Sequence, residues 1–146
     1  MTTIFDGPLS GIVEVRAKNH GDEAFIFESW LNGLYYANKF FKDIPRDIYL
    51  INYHRVLEKI IDAPNTVIEI VTLKEAPTAI IAYVVYQTTQ KGPVLHWVFV
   101  KPIWRNQGIA TAIVPENTVY CTHLTAVGRS LKPKQMEFNP FAISIQ

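Results

Sequence analysis

The chain has 146 residues, enough for one domain and too few for two of ordinary size. Hydrophobic residues make up 49% and charged residues 18%, which excludes a disordered or collagen-like chain. Fourteen Lys+Arg against thirteen Asp+Glu leave a net charge of +1, without the clustered basic excess of a strong nucleic-acid binder.

A single cysteine, Cys121, excludes an intramolecular disulfide and a multi-cysteine metal site, and points to a reducing compartment. The N-terminal segment lacks a basic stretch followed by an apolar one, so no signal peptide is expected. The longest apolar run, Ala79 to Tyr86, falls far short of the ~20 residues of a membrane helix. The expectation is a soluble, cytoplasmic, single domain over residues 1–146, with no membrane partner.

In chain order, Gly11–Arg16 alternates as a strand, and Lys18–Asp22 reads as a turn with Asp22 capping a helix. Phe27, Trp30, Leu31 and Leu34 form one apolar helical stripe. An aromatic stretch follows (Tyr35, Tyr36, Phe40, Phe41), closed by Pro45, and a second helix carries Tyr49, Tyr53, Val56, Leu57 and Ile60. Three strands are expected at Thr66–Thr72, Thr78–Gln87 and Val94–Val100, and their short turns require antiparallel neighbours. Gly108–Val114 reads as a helix cut short by Pro115, Val119–Thr122 as a strand, Thr125–Leu131 as a short helix and Met136–Ile145 as extended chain. The expected class is α+β, a mainly antiparallel central sheet flanked by helices, with a shortened C-terminal part.

The informative stretch is Val98 to Thr111, where a buried strand enters a loop carrying Arg105 and Gly108 and the loop opens into a helix. The first backbone N–H groups of a helix lack intrahelical partners, a glycine lets an anion approach them, and an arginine adds charge. The same residues also fit an ordinary helix start with a solvated arginine.

Arg105-Asn-Gln-Gly108-Ile-Ala110 resembles the R/Q-x-x-G-x-G/A signature of the GNAT superfamily of acyl-CoA N-acyltransferases. It follows a strand reading Val98-Phe-Val, the preceding elements come in the order of that fold, and Val15-Arg16-Ala17 with Asp22 resembles the family's first strand and turn. Glu28-Ser-Trp-Leu, His96-Trp-Val-Phe-Val and Phe138-Asn-Pro-Phe141 look like small acetyltransferase-like proteins of tailed bacteriophages, for which the location would be the host cytoplasm.

The GNAT resemblance implies acetyl-CoA as acyl donor, direct attack of a primary amine on the thioester, and no metal. Backbone groups from Gln107 through Gly108, Ile109 and Ala110 to Thr111 would hold the CoA pyrophosphate, beside Arg105 and Asn106. Val98, Phe99 and Val100 would face the pantetheine arm where strand four splays from strand five. The acceptor, a protein, small molecule or nucleobase amine, would enter over the first two helices against Trp30, Tyr35 and Tyr36. Dimers are common in the family, so a homodimer is a possible assembly.

Proton transfer has several candidates. Alternation puts His96 with Val98 and Val100, opposite Trp97 and Phe99, and an unperturbed imidazole suits deprotonation of an ammonium. A hydrogen-bonded sheet histidine is the other reading of His96. His123 follows strand five, close to where the thioester would lie. The family's usual tyrosine in the fourth helix has no counterpart in Thr125–Leu131, leaving Thr125, Ser130 or the nearby Tyr120. His20 and His54 read as surface residues, no histidine pair has metal-ligand spacing, and Cys121 reads as a buried strand residue.

Two adjacent aromatic pairs cannot share one helical face, so some of them line a pocket or contact a partner. Lys39, Lys42 and Arg46 lie beside these aromatics, and Arg129, Lys132 and Lys134 form a second basic group; solvated faces or nucleic-acid contacts both fit. Two alternatives therefore stand beside the acetyltransferase: a catalytically inactive phage protein of this fold that binds a host factor, and a phage nucleic-acid base-modifying transferase with another donor.

Overall fold

The computed structural model describes Phe5, residues 7–123 and residues 136–144. In chain order the elements are β1 (Val13–Ala17), α1 (Glu23–Ala37), α2 (Lys39–Lys42), α3 (Arg46–Asp62), β2 (Thr66–Leu73), β3 (Ala76–Thr89), β4 (Gly92–Val100), α4 (Ile109–Ile113), β5 (Tyr120–Cys121) and β6 (Glu137–Phe138). The strands form one sheet in the order β1-β2-β3-β4-β5-β6. β1 to β4 pair antiparallel, while β4 with β5 and β5 with β6 pair parallel. Chain length between strands explains the pattern. Only Lys74-Glu75 joins β2 to β3 and Gln90-Lys91 joins β3 to β4, whereas the β4–β5 return takes nineteen residues, 101–119, and includes α4. The α+β class with a mainly antiparallel sheet, expected from the sequence, is the one observed.

Each face of the sheet has its own core. Ile26, Trp30, Leu31 and Leu34 of α1, with Tyr49, Leu57 and Ile60 of α3, pack on Ile68, Ile70, Tyr83, Val85 and Trp97. On the opposite face Ile109 and Ile113 of α4, with Leu9 and Met136, cover Val71, Ala82, Val84, Val98 and Val100. Burying each such side chain contributes about 1.5–3 kcal/mol of transfer free energy. Gly33 sets how closely α1 approaches the sheet, since a Cβ there would sit 3.1 Å from the Trp97 ring.

Several local readings change. Ile26 joins the expected stripe as a fully buried residue, while Phe27 packs on the same core half-buried and stacks on His54 at 4.2 Å between centroids. Asp22 occupies the cap position, but its carboxylate takes two bonds from Arg16 (2.7 and 2.9 Å) and one from the Asn19 N–H (2.8 Å) rather than capping α1. The Arg16 guanidinium holds that carboxyl below its usual range. The aromatic stretch divides at Asn38, whose side chain accepts the Phe40 N–H (3.0 Å) and starts α2. Residues 136–145, expected to be extended, give only the two residues of β6. The Asn139 carbonyl and side chain then accept the Ala142 and Phe141 N–H groups (both 3.1 Å), starting a 3-10 turn over Pro140–Ser144. The helix expected at 125–131 lies outside the described residues. Among these, no helix is long and apolar enough to cross a membrane.

Candidate functional site

The loop between β4 and α4 is built from short local bonds. Pro102–Trp104 forms a 3-10 turn, and the Arg105 Nε–H donates to the Val100 carbonyl (2.9 Å), tying the arginine to the end of β4. Asn106 (φ 64°) and Gly108 (φ 82°) both adopt left-handed backbone, which glycine accepts without strain and other residues resist. Gly108 precedes α4, and the helical ladder begins with the Ala112 N–H on the Gly108 carbonyl (3.1 Å). The N–H groups of Ile109, Ala110 and Thr111 belong to the first turn, which intrahelical bonds leave free. α4 itself is five residues long, ending before Pro115 as the sequence indicates.

Among the described residues, the bonds between β4 and β5 involve the first half of β4. Val94 pairs with Tyr120 and Leu95 with Cys121, and the Thr122 N–H on the Leu95 carbonyl (3.0 Å) is the last described bond between them. β4 continues through Trp97, Val98, Phe99 and Val100 beyond that point. His123 is the first residue past the last rung. Tyr120 is half-buried in β5 between Val94 and Glu137, while Cys121 is buried.

A β-bulge lies at the same place. Val85 faces Trp97 and Tyr86 faces Leu95, so His96 is an extra residue in β4 with no residue opposite. The bulge breaks the alternation that was expected to group His96 with Val98 and Val100. The His96 ring instead meets Gln87, which follows Tyr83 and Val85 on the α1–α3 face of β3. Leu95 and Val98 share the α4 core, and Trp97 lies in the other.

Five uncharged groups run in series from this bulge. Gln87 donates its amide to the Pro64 carbonyl (3.5 Å) and presents Oε1 to the His96 Nε2–H (3.3 Å). That orientation assigns direction to every later bond. Thr122 O–H donates to His96 Nδ1 (2.9 Å), His123 Nδ1–H donates to Thr122 Oγ1 (2.8 Å), and Tyr53 O–H donates to His123 Nε2 (2.6 Å). Gln87, His96, Thr122 and His123 are all buried. Burial lowers the His96 pKa to about 4; burial, with His96 nearby, lowers that of His123 to about 3. Burial pushes the Tyr53 phenol up to about 12. All three groups are therefore uncharged at neutral pH.

Two cavities flank α1. One, of 440 Å³, lies between α1 and the end of β4, with Phe25, Gly33, Tyr36 and Phe99 as apolar walls and Glu28 and Lys101 adding charge. The other, of 510 Å³, lies beyond the C-terminal end of α1, with Lys39, Phe41, Tyr53, His123 and Phe138 among its walls. Of the three residues expected to meet an acceptor, only Tyr36 lines either cavity. Trp30 is fully buried, stacked on Trp97 at 5.6 Å, and Tyr35 packs on Tyr49 and donates to the Ile44 carbonyl (3.3 Å). The Trp30 indole N–H has no described partner.

The other singled-out residues are accounted for locally. Arg46 is engaged within the chain, bonded to Tyr36 and Asn32 and lying over the Tyr35 and Tyr36 rings. His54 pairs with Glu58 (2.6 Å), and His20 is exposed beside Glu23 (3.5 Å). Thr125, Ser130, Arg129, Lys132 and Lys134 lie outside the described residues. Among the described residues no three His, Cys, Asp or Glu side chains are grouped to hold a metal ion. Gln87, Thr122 and Tyr53 were not singled out as functional from the sequence, because only the fold brings them to the two histidines.

The fold is similar to that of a solved GNAT-family structure. A structure described as a GNAT family acetyltransferase from Staphylococcus aureus subsp. aureus aligns with a TM-score of 0.50 and 17% identity, over 66% of this chain and 81% of that one. Weaker matches include aminoglycoside N-acetyltransferase AAC(6')-Iy in complex with CoA (TM-score 0.42, 18% identity, 87% of this chain and 76% of that one). Another is ribosomal-protein-alanine N-acetyltransferase from Brucella melitensis biovar Abortus (0.44, 18%, 69% and 65%). No protein-family model matches the chain, and no curated protein matches it in sequence.

Proposed function

We propose that the protein is an acyl-CoA-dependent N-acyltransferase that moves an acetyl group from acetyl-CoA to a primary amine. The observation that carries this reading is the glycine-bearing loop that leaves the end of β4 and opens a helix, in a sheet where β4 pairs parallel with β5. Backbone N–H groups around Gly108 to Thr111 suit the CoA pyrophosphate, with Arg105 beside them. The edge of β4 from Trp97 to Val100, which takes no described bond from β5, suits the amide-rich pantetheine arm, which pairs with backbone as a strand would. On this reading the thioester lies near His123 and the acceptor arrives on the α1–α3 face.

The chemistry asked of the protein is modest. A neutral amine attacks the thioester carbonyl, the C–S bond breaks, and one proton moves from nitrogen towards sulfur. Proximity, a backbone donor to the carbonyl oxygen and a route for the proton supply the acceleration. The test is release of free CoA thiol from acetyl-CoA across a panel of primary amines. The reading expects amine-dependent release above the hydrolytic background. Saturating acetyl-CoA with no amine-dependent release would refute it.

A further inference from the structure

We infer that Tyr53 takes the proton from the acceptor amine, in the cavity between the end of α1, α2 and β5, and passes its own to His123. This rests on the acyl-transfer reading and says which of the two cavities receives the reacting nitrogen. The geometry gives three reasons.

The first is direction. Because Gln87 faces His96 with its oxygen, each hydroxyl and ring N–H of the series donates inward, and Tyr53, its outermost member, donates to His123. Among the described residues no group donates to Tyr53 Oη, which leaves it a lone pair to accept with. A cavity read by this oxygen selects a ligand with a hydrogen to give, as an amine has.

The second is place. Thr122 carries the last described bond from β5 to β4, and Thr122, His123 and Tyr53 all line the cavity where the thioester carbon is proposed to lie. The α1–β4 cavity offers no such group. Its Ser29 hydroxyl is engaged by the Phe25 carbonyl and Tyr83 (both 2.7 Å), its exposed Tyr36 hydroxyl accepts from Arg46 (3.0 Å) rather than meeting a histidine, and its other ionisable side chains are the exposed Glu28 and the half-buried Lys101.

The third is charge. Burial keeps both histidines neutral, which leaves His123 Nε2 its lone pair for the Tyr53 proton while disfavouring the imidazolium that results. Lys39 on the same cavity wall disfavours a bound ammonium and so favours the nucleophilic, neutral amine.

The step balances as follows. The amine nitrogen bonds to the thioester carbonyl carbon, and the C–S bond breaks with its electron pair going to sulfur. The nitrogen's proton goes to Tyr53 Oη as the Tyr53 hydroxyl proton goes to His123 Nε2. Burial makes that imidazolium short-lived, and its proton returns through Tyr53 to the thiolate, regenerating the starting state.

The experiment combines a conservative variant with a measurement independent of turnover. Tyr53→Phe keeps the ring that packs on Phe41 and Tyr49 and removes only the hydroxyl. With acetyl-CoA and the best amine of the panel, kcat should fall about 100-fold or more while the KM for acetyl-CoA stays within about 2-fold. Thermal melting shows whether the variant is folded. In parallel, 15N NMR of the histidine rings of the wild-type chain should show His123 neutral and protonated at Nδ1. Protonation at Nε2 would overturn the proposal whatever the kinetics show, because Tyr53 would then point its hydrogen outward. A folded Tyr53→Phe within 3-fold of wild type would overturn it too, leaving the acyl-transfer reading intact. A wild-type chain that turns over no amine refutes that reading instead, and this role for Tyr53 with it.

Discussion

Replacing Thr122 by Val tests the buried series at its midpoint, because valine keeps the shape and removes only the hydroxyl. Thr122 Oγ1 meets both imidazoles, donating to His96 Nδ1 at 2.9 Å and accepting from His123 Nδ1–H at 2.8 Å. The variant leaves one acceptor and one donor stranded in groups that are 1% and 8% exposed. An unsatisfied buried polar group costs about 1–3 kcal/mol, so the pair amounts to about 2–6 kcal/mol. Thr122→Ser keeps the hydroxyl and loses one methyl, at about 1 kcal/mol. Urea unfolding followed by tryptophan fluorescence measures both, since Trp30 and Trp97 lie against His123. The expected result is a lower midpoint for Val than for Ser at equal m-values. Equal losses, or a loss below 1 kcal/mol for Val, would show that the hydroxyl does not bridge the histidines.

Stability should also depend on pH through these rings. Both have folded pKa values (about 4 and about 3) below the unfolded value near 6.5, so between those limits the unfolded chain binds more protons. Stability is then complete above about pH 6.5 and falls as pH drops towards 4, which urea midpoints between pH 4.5 and 7.5 would reveal; a flat profile would contradict neutral buried imidazoles. Asp22→Ala removes the paired partner of Arg16 and an acceptor of the Asn19 N–H, at about 2 kcal/mol in the same assay. A loss of a few tenths would mark the pair as solvent-screened.

The sheet and its antiparallel order were legible because two-residue connections permit nothing else, and the β4 loop because Arg105 and Gly108 sit at fixed spacing ahead of a helix. The His96 environment was not. A bulge inserts one residue without any local composition signal, and it moved that ring off the face alternation assigns. The series from Gln87 to Tyr53 draws on α3, β3, β4 and the end of β5, so no window of sequence contains it. Tyr53 read as one more apolar position on a helical stripe, and only its 2.6 Å bond to His123 separates it from Tyr49, which donates to the Leu31 carbonyl. Trp30 shows the converse. Its aromaticity fitted an acceptor pocket, while its position on the inner stripe of α1 buried it completely.

Isothermal titration of the full chain with acetyl-CoA and with free CoA, alongside Gly108→Trp, tests the account most directly. At φ 82° a side chain strains the loop that opens α4, although the space beside it is open, so the variant should stay folded and lose the ligand. Binding of both ligands by the wild type, at least tenfold weaker in the folded variant, is the predicted result. Absence of binding to either ligand, or equal binding by the variant, would contradict the assignment of the Gly108 loop and the adjoining edge of β4 as an acyl-CoA site.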